Sequence, residues 1–493
     1  MKRSKKLVVL SGVLAAACAA TCAVTAYEER KEQIKNSDEV ILELDPETVT
    51  ALSWEYGTEY LAFHRGNDED AESGAKWLYD EDEAFPVSQE KLAELQEIFE
   101  AFGVSFIIED VDDFGQYGLD NPVCTIHMKT EEKDYEILLG DFSAMDSERY
   151  VSVGDGNVYL VKEDPFELFE VTISDMIDHD ETPYFYDVLE VKYEGAENYT
   201  VKYEDDSENT YREDDMYFVA EAAEDSDAEA GTPLDTVRVD CYLQVISNLD
   251  LEDYVTYNVT EEELEEYGLD DPELSVTVQH KWEDSETKNE KEDTFVIHIS
   301  RNPEDAERAE ELEAKAEEKG ESVLGDGEDI PAYVRIGDSQ IVYEITEYQY
   351  GNLMAASYND LRHWDVLPAE FADIDQFVII LEDNEYTIET TGNAENRVYK
   401  YQGEQLEIET LKAVMEELSV SESDDFTDEE PAEKEELRLK VRLGVKDKPE
   451  KEIVFYRYDG EYCLVTMDGE PLSLVKRSLV MDVVEEIYAI VLN

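Results

Sequence analysis

A six-residue motif, Tyr-Gly-Leu-Asp-x-Pro, occurs twice in this chain of 493 residues and constrains its fold more than any other feature. The first copy spans residues 117–122 and the second spans residues 267–272. The defined positions are Tyr117, Gly118, Leu119, Asp120 and Pro122, and Tyr267, Gly268, Leu269, Asp270 and Pro272. Because self-similarity within a chain indicates repeated structure, we expect the body of the protein to consist of copies of one unit.

Local physical chemistry gives the motif a structural role. Thr260 precedes Glu263 by the spacing of a capping box, which starts a short helix. Gly268 then falls where such a helix ends in a left-handed residue, and the residue before the motif's proline must be extended. In the first copy we expect Asp110 to cap the turn and Gly118 to end it. The alternative interpretation is a binding site lined by the tyrosine and aspartate of the motif.

The sequences that flank the two motifs correspond in order. Each motif follows a helix with one apolar face and then a strand, and each precedes two strands and a Gly-Asp hairpin turn. In the first copy Ser88 is predicted to cap the helix and Gly103 to end it. The predicted strands after the motifs are 124–128 and 135–139 in the first copy, and 274–278 and 295–299 in the second.

These patterns predict an α+β fold: tandem repeats of a β-rich antiparallel unit with one central and one closing helix, preceded by a single N-terminal transmembrane or signal helix. Antiparallel pairing is expected because the connections are short. In a third copy the acidic segment 424–436 stands where the motif should be. The predicted segments are 1–27 (membrane anchor or signal), 48–180 (repeat unit 1), 186–360 (repeat unit 2, with acidic insertions near 221–231 and 302–329) and 374–493 (degenerate repeat unit 3).

The N-terminal segment is predicted to bring the body across a membrane. An uncharged run at residues 7–27 is long enough to cross a bilayer as a helix, and it follows four basic residues, Lys2, Arg3, Lys5 and Lys6. Basic residues before such a run favour a cytoplasmic N-terminus. We favour a retained single-pass anchor; the alternatives are a cleaved signal peptide ending at Ala26 and a lipoprotein processed at Cys18. All three place the body outside the cytoplasm, so the predicted location is the cell membrane.

The charge of the chain limits its partners. It has 40 basic and 127 acidic residues and a formal net charge of −87. Nucleic acid is a polyanion that this surface would repel, so nucleic-acid binding is excluded. Diffuse, salt-dependent cation binding is expected instead. Hydrophobic residues make up 42% of the chain, which is too much for a disordered protein, so the body is expected to fold.

Motifs with known chemistry are not found in the sequence. The six histidines have no HExxH spacing, and His280 and His298, which flank the second hairpin, give only a weak hypothesis of a metal site across strands. Cys124, Cys241 and Cys463 are expected to be small core residues rather than a disulfide framework. Carboxylate pairs are too numerous to single out an acid–base dyad. We therefore predict no catalytic, cofactor-binding or metal-ligating residue, no cofactor and no enzymatic activity.

The basic start, the apolar run, the repeated motif and the Gly-Asp hairpin after it together resemble a bacterial family, the domain of unknown function 4340 family. The resemblance covers most of the chain. It implies an anchored extracytoplasmic protein of the kind often encoded beside gliding-motility-type ABC exporters, and it supplies no catalytic residue. The implied function is a non-enzymatic interaction module, tethered to the membrane, with ABC exporter subunits as partners. The alternative is a cell-envelope ligand-binding protein for wall polymer or a cationic solute.

Protease treatment of intact spheroplasts tests the predicted location. We expect the body to be degraded while cytoplasmic proteins survive, and the untreated chain to fractionate with membranes, because residues 7–27 are apolar and uncharged. A control variant with Leu14→Arg and Ala17→Arg should lose export, since each charge at the centre of a span costs about 2.5–3.5 kcal/mol. A protease-protected body, or a full-length chain in the cytosolic fraction, would contradict the predicted location.

Overall fold

The computed structural model describes residues 33–36 and 39–491, apart from gaps at 67–74, 206–209, 211, 213, 223–229, 285–286, 310–311, 313–329, 368, 370, 372–373, 383, 393–395, 422–424, 432–433 and 444–449. The anchor or signal helix predicted at 1–27 lies outside the described residues, as do most of the two acidic insertions. Over the described part of the chain, no helix combines the length and the apolar character that a bilayer crossing requires.

Two compact units make up the chain, one ending at His179 and the other beginning at Asp180. Among the described strands, the first unit contains one sheet and the second contains two. Every pairing in these sheets is antiparallel. The α+β class and the antiparallel pairing predicted from the sequence are therefore confirmed.

The first sheet has ten strands and is accompanied by two short α-helices. The strands are β1 (Gln33–Asn36), β2 (Val40–Leu42), β3 (Val49–Tyr56), β4 (Glu59–Arg65), β5 (Trp77–Tyr79), β6 (Phe102–Glu109), β7 (Cys124–Thr130), β8 (Asp134–Ser143), β9 (Glu148–Ser152) and β10 (Val158–Val161). The helices are α1 (Gln89–Glu97) and α2 (Phe166–Phe169), with 3-10 turns at Pro46–Thr48, Phe114–Tyr117 and Ile173–Met176.

The second sheet has eight strands and four of the described α-helices beside it. The strands are β11 (Asp187–Gly195), β12 (Tyr199–Tyr203), β13 (Tyr217–Ala222), β14 (Tyr254–Thr256), β15 (Leu274–Glu283), β16 (Glu290–Ser300), β17 (Ala332–Ile336) and β18 (Val342–Ile345). The helices are α3 (Thr236–Ser247), α4 (Glu261–Glu266), α5 (Glu347–Met354) and α6 (Tyr358–Leu361).

The third sheet also has eight strands, with two α-helices. The strands are β19 (Ile374–Leu381), β20 (Asn384–Thr391), β21 (Val398–Tyr401), β22 (Glu404–Gln405), β23 (Glu435–Leu443), β24 (Glu450–Arg457), β25 (Tyr462–Met467) and β26 (Glu470–Lys476). The helices are α7 (Glu409–Glu416) and α8 (Arg477–Val491).

The first and second sheets share one strand order, and the third sheet has seven of its eight strands in the same order. The first sheet reads β5-β4-β3-β7-β8-β9-β10-β6, with β1 beyond β6, and the second reads β13-β12-β11-β15-β16-β17-β18-β14. These are the same order in successive copies. The third reads β22-β21-β20-β19-β23-β24-β25-β26, so its described strands include no counterpart of β6 or β14. The predicted tandem repetition is confirmed, and the third copy lacks one edge strand together with the motif.

In each copy a helix follows the first group of strands: α1 after β5, α3 after β13 and α7 after β22. Ser88 caps α1 as predicted, since its hydroxyl accepts a hydrogen bond from the Lys91 amide at 3.3 Å. Leu92 and Leu95 of that helix are buried. The ring of Trp54, fully buried in β3, stacks on Phe63 at 5.5 Å between ring centroids. Burial of large apolar side chains between helix and sheet is the main favourable term for such a layer.

The helices differ from the prediction in two respects. Gly103 does not end α1, because that helix stops at Glu97 and Gly103 lies within β6, beside the buried Val104. The number of helices also differs from one central and one closing helix per unit. The short helix α4 at the Thr260 capping box was predicted, whereas α6 was not: it starts at a capping box formed by Ser357, which satisfies the first free amides of one additional turn.

A short segment at residues 362–366 joins the second sheet's copy to the third. Its backbone pairs with residues 418–420 after α7: the Val366 amide donates to a carbonyl there at 2.9 Å, and the Trp364 carbonyl accepts an amide at 3.0 Å. From the same segment, the His363 side chain enters the second copy, where Nε2 lies 2.9 Å from Oδ1 of Asp215. The side chains of His363 and Asp215 are 6% and 1% exposed, so this contact between the connecting segment and the second copy is buried.

The Asp215 carboxylate depends on several donors. It accepts the Arg212 amide at 2.9 Å and the Thr210 hydroxyl at 3.3 Å, in addition to the His363 ring. The other ring nitrogen of His363, Nδ1, lies 3.7 Å from a carboxylate oxygen of Asp235, too far for a hydrogen bond. A buried carboxylate is costly without such donors, so this cluster couples the second and third copies.

Replacement of His363 tests this coupling. We expect His363→Leu to lower the free energy of unfolding by about 1.5–3 kcal/mol, because a buried charged acceptor loses a donor, and His363→Gln to lose less because an amide donor remains. Chemical denaturation measures the loss. The control is His127→Leu: its ring lies 4.0 Å from Glu136, both side chains are largely exposed, and such pairs contribute little. Equal midpoints for His363→Leu and His127→Leu would contradict the coupling.

Candidate functional site

The two hexapeptides form the same backbone corner. Gly118 and Gly268 have φ angles of 73° and 72°, so the left-handed conformation expected at both positions is present. The Leu119 amide donates to the carbonyl five residues earlier at 3.1 Å, and the Leu269 amide does the same at 2.8 Å. This pattern is a Schellman motif, which satisfies carbonyls at the end of a helical turn.

The turns that lead into the corners are capped differently in the two copies. Thr260 and Glu263 form the predicted capping box: the Thr260 hydroxyl accepts the Glu263 amide at 3.2 Å, and the Glu263 carboxylate accepts the Thr260 amide at 2.8 Å. The Thr260 hydroxyl also donates to the Glu263 carboxylate at 2.8 Å, and the hydrogen bonds that the amide and the hydroxyl of Thr260 donate lower the pKa of Glu263. In the first copy the cap is Asp113, which accepts the Gly115 amide at 3.1 Å; the prediction of Asp110 is wrong, because the turn begins only at residue 114.

Each motif glycine lies against the backbone at the end of a strand. A Cβ atom at Gly118 would lie 2.6 Å from Cγ of Asp141 and 2.8 Å from its backbone nitrogen. A Cβ atom at Gly268 would lie 2.3 Å from the carbonyl oxygen of Arg301. These distances are shorter than side-chain atoms tolerate, so glycine is required for contact as well as for its φ angle.

The motif tyrosines make equivalent ring contacts. Tyr117 packs on Tyr150 with ring centroids 4.9 Å apart and planes inclined by 53°. Tyr267 packs on Tyr333 at 4.7 Å and 48°. Tyr150 and Tyr333 begin the corresponding Tyr-Val-x-x-Gly-Asp segments downstream of the motifs. The two sequence features that mark each repeat are therefore in direct contact.

The remaining motif positions divide into buried and exposed side chains. Leu119 and Leu269 are 4% and 5% exposed and pack in small apolar clusters beside the sheets. Pro122 and Pro272 are half-buried, whereas Asp120 and Asp270 are exposed in both copies. The corner thus accounts structurally for the tyrosine, glycine and leucine of the motif.

Beside each corner a buried arginine covers an aromatic ring, a feature that the sequence analysis missed. The Arg149 guanidinium lies 4.8 Å from the ring centre of Phe166, and Arg301 lies 3.9 Å from that of Tyr350. Arg149 also pairs with Asp164 at 2.7 Å. The arginines come from different strands, yet both rings belong to the helix that follows the last strand of the hairpin.

A cavity of about 830 Å³ lies at the open edge of the second sheet. It is bounded by edge strand β14 and the segment before it, the end of β18 and the first turn of α5. The residues that line it are Asp250, Asp253, Tyr254, Val255, Pro331, Glu344, Ile345, Thr346, Tyr348 and Gln349. The lining combines carboxylates with aromatic and aliphatic side chains, which is a chemistry suited to organic cations.

The described histidines and cysteines are not grouped into a metal site. His280 lies opposite Asp293 and His298 opposite Ser275 in one hairpin, so about 17 Å of strand separates the two histidines and they do not meet. Burial lowers the pKa of both imidazoles. Within the described ranges, no group of three or more His, Cys, Asp or Glu side chains is arranged to hold a metal ion.

The cysteine prediction is right at two positions and wrong at one. Cys124 and Cys463 are buried, and burial raises the pKa of each thiol to about 12. Cys241 is exposed, because it lies on the outer face of α3, whose buried residues include Val239 and Tyr242. All three cysteines are free thiols.

The fold and the shared corner define an α+β protein built from tandem antiparallel repeats. A family model described as Domain of unknown function (DUF4340) matches residues 77–256 and 225–441, which together cover well over half of the chain. The chain therefore belongs to this family, and the resemblance seen in the sequence is confirmed. No curated protein and no solved structure matches it.

Two glycine variants distinguish the destabilisation caused by close contact with backbone from that caused by a positive φ angle. Gly268→Ala is expected to lower the free energy of unfolding by about 2–4 kcal/mol, from the positive φ and from overpacking against the Arg301 backbone. Gly337→Ala is the matched control: its φ is 49° but a Cβ atom there meets nothing within 4 Å, so about 1–2 kcal/mol is expected. Denaturant unfolding measures both. Equal losses would contradict the close-approach argument.

Proposed function

We propose that this protein works by contact rather than by catalysis. Its body is a non-enzymatic interaction module outside the cytoplasm, tethered to the membrane by the segment at residues 1–27. The partner we propose is an ABC-type exporter, whose membrane subunits would be contacted by the body. The basic residues before the apolar run and the acidic body after it support this orientation.

One observation carries the proposal: the tyrosine, glycine and leucine that the two repeats share are used to build the corner. If each repeat carried the same catalytic centre, its residues would be among the shared ones. The shared tyrosine packs against a second tyrosine, the glycine lies against backbone, and the leucine is buried. Repeated units that share structure and differ at their surfaces are typical of proteins that present extended binding surfaces.

Charge supports a contact function with salt-sensitive partners. The body has a large excess of carboxylates, which would attract basic surfaces over distances of about 10 Å at 0.1 M salt. Acidic surfaces and nucleic acid would be repelled at the same distances. The partner surface is therefore expected to be basic or bridged by cations.

The finer architecture forms part of the same proposal. We assign repeat unit 1 to residues 48–180, repeat unit 2 to 186–360 and a degenerate repeat unit 3 to 374–493, each with a central helix (α1, α3 and α7) and a closing helical segment. The repeated strand order supports this division. An N-terminal helix at 1–27 would precede the first unit as the membrane anchor.

A second candidate function is a cell-envelope ligand-binding protein. The specific observation that favours it is the cavity at the edge of the second sheet, because a concave surface with aromatic and charged groups is the usual form of a ligand site. A cationic solute suits the carboxylates of its lining better than an anionic wall polymer does.

Quantitative pull-down of the full-length, tagged chain from solubilised membranes tests the contact function. We expect integral membrane subunits of an exporter to be enriched, and the enrichment to fall with rising salt because exposed charges are screened. The matched control is residues 1–47 fused to an unrelated soluble domain, which retains the predicted anchor but lacks the body.

Two outcomes contradict the proposal. Equal recovery of the same subunits by the control would assign the interaction to the anchor segment and not to the body. A hydrolytic activity of the purified body that one point substitution abolishes, without a change in its unfolding midpoint, would establish an enzyme instead.

A further inference from the structure

The cavity beside β14 has an unbalanced negative charge. Asp250, Asp253 and Glu344 contribute three carboxylates to its wall, and no described lysine or arginine forms a salt bridge with any of them. By contrast, Glu452 in the third sheet is held by Arg438 at 2.8 Å. Like charges that share a concave surface repel one another, and a bound cation would relieve that repulsion.

Aromatic and aliphatic groups complete the wall of this cavity. Tyr348 is 75% exposed, a large exposure for an aromatic side chain at the start of a helix, and Val255 is 36% exposed on the edge strand. Tyr254 and Pro331 are half-buried, and Ile345 is buried. An aromatic face attracts a cation at close range, and apolar surface accommodates the methylene stem of a long basic side chain.

The protein already uses this chemistry for its own basic residues. Arg301 lies over the ring of Tyr350, two residues after Tyr348 on the same helix, and the Lys133 ammonium lies 4.4 Å from the ring centre of Tyr135. In both cases a tyrosine face binds a cation of this chain. The cavity offers the same kind of face, with carboxylates around it, to a cation from outside.

We propose that this cavity is a binding site for an organic cation with an aliphatic stem, of which the lysine side chain is the simplest example. The carboxylates attract the ammonium group, the Tyr348 ring lies against it, and Val255, Pro331 and Ile345 contact the stem. An anion is repelled, and an inorganic cation leaves the apolar part of the wall unused. The site is independent of the exporter contact, and it gives the second candidate function a location and a ligand class.

The test is titration of the full body with three blocked amino acids of similar size. Nα-acetyl-lysine amide is the probe, Nα-acetyl-norleucine amide is its neutral counterpart, and Nα-acetyl-glutamate amide is the anionic one. We expect saturable one-to-one binding of the lysine probe, detected by NMR of the tyrosine ring protons, and no saturable binding of the other two. Saturable binding of the norleucine compound with equal affinity would overturn the role of charge.

Variants then separate the cavity from the acidic surface as a whole. Asp253→Asn combined with Glu344→Gln should weaken binding of the lysine probe about tenfold, since two nearby carboxylates are neutralised. The matched control is Glu262→Gln combined with Glu265→Gln, which removes the same charge from exposed positions on α4 of the same unit and should change affinity less than twofold. Equal weakening by both pairs would overturn the site.

A separate pair of variants tests the role of the Tyr348 ring. Tyr348→Ala should weaken binding several-fold, whereas Tyr60→Ala, which removes an exposed ring from β4 in the first unit, should not. All of the substituted side chains are exposed, so the variants are expected to fold, and unchanged unfolding midpoints verify it. Loss of binding only in variants with lowered midpoints would overturn the assignment.

Two ligands distinguish the natural source of the ammonium group. Cadaverine represents a free amine and an end-blocked pentalysine peptide represents a basic protein segment. Tighter binding of cadaverine than of the single-lysine probe supports a small solute, and tighter binding of the peptide that still depends on Tyr348 supports a protein segment. Peptide binding that is unaffected by both the cavity variants and the control variants would reflect the whole acidic surface and overturn the proposal.

Discussion

The close contact between a motif glycine and the backbone of a neighbouring strand is the constraint on which the repeats depend. The motif links β6 to the inner strand β7, and edge strand β14 to the inner strand β15, so the chain must cross three intervening strands at this corner. A crossing connection that lies directly on the sheet needs a residue without a side chain. Gly118 and Gly268 meet this need, and the contact between the paired tyrosine rings holds the crossing in place.

The same constraint accounts for the third copy. Its described strands include no counterpart of β6 or β14, and its sequence lacks the hexapeptide. The motif is needed only where a strand such as β6 or β14 must be connected back to the middle of the sheet. This explains why the third copy, whose described strands include no such strand, also lacks the hexapeptide. The third copy is instead joined to the second through the buried contact between His363 and Asp215.

Local signals in the sequence predicted local structure well. Ser88, the capping box at Thr260 and the left-handed glycines were all located correctly, because each depends on residues within one or two helical turns. Predictions were wrong where the sequence allowed more than one local structure. Asp110 and Asp113 are both adequate caps, and the choice depends on where the following turn packs on the sheet. Cys241 lies on the outer face of a helix whose orientation the sequence pattern resolved only partly.

By itself, the sequence determined the duplication, the α+β class, the family, the negative charge of the body and the predicted apolar segment at its start, because all of these are properties of composition and of short-range patterns. Only the tertiary structure decided which strand each motif crosses, which rings Arg149 and Arg301 cover, how His363 joins two copies, and that carboxylates and tyrosines meet in one cavity beside β14. Each of these features joins residues far apart in the chain, and their proximity depends on the packing of whole sheets and helices, which no local pattern encodes.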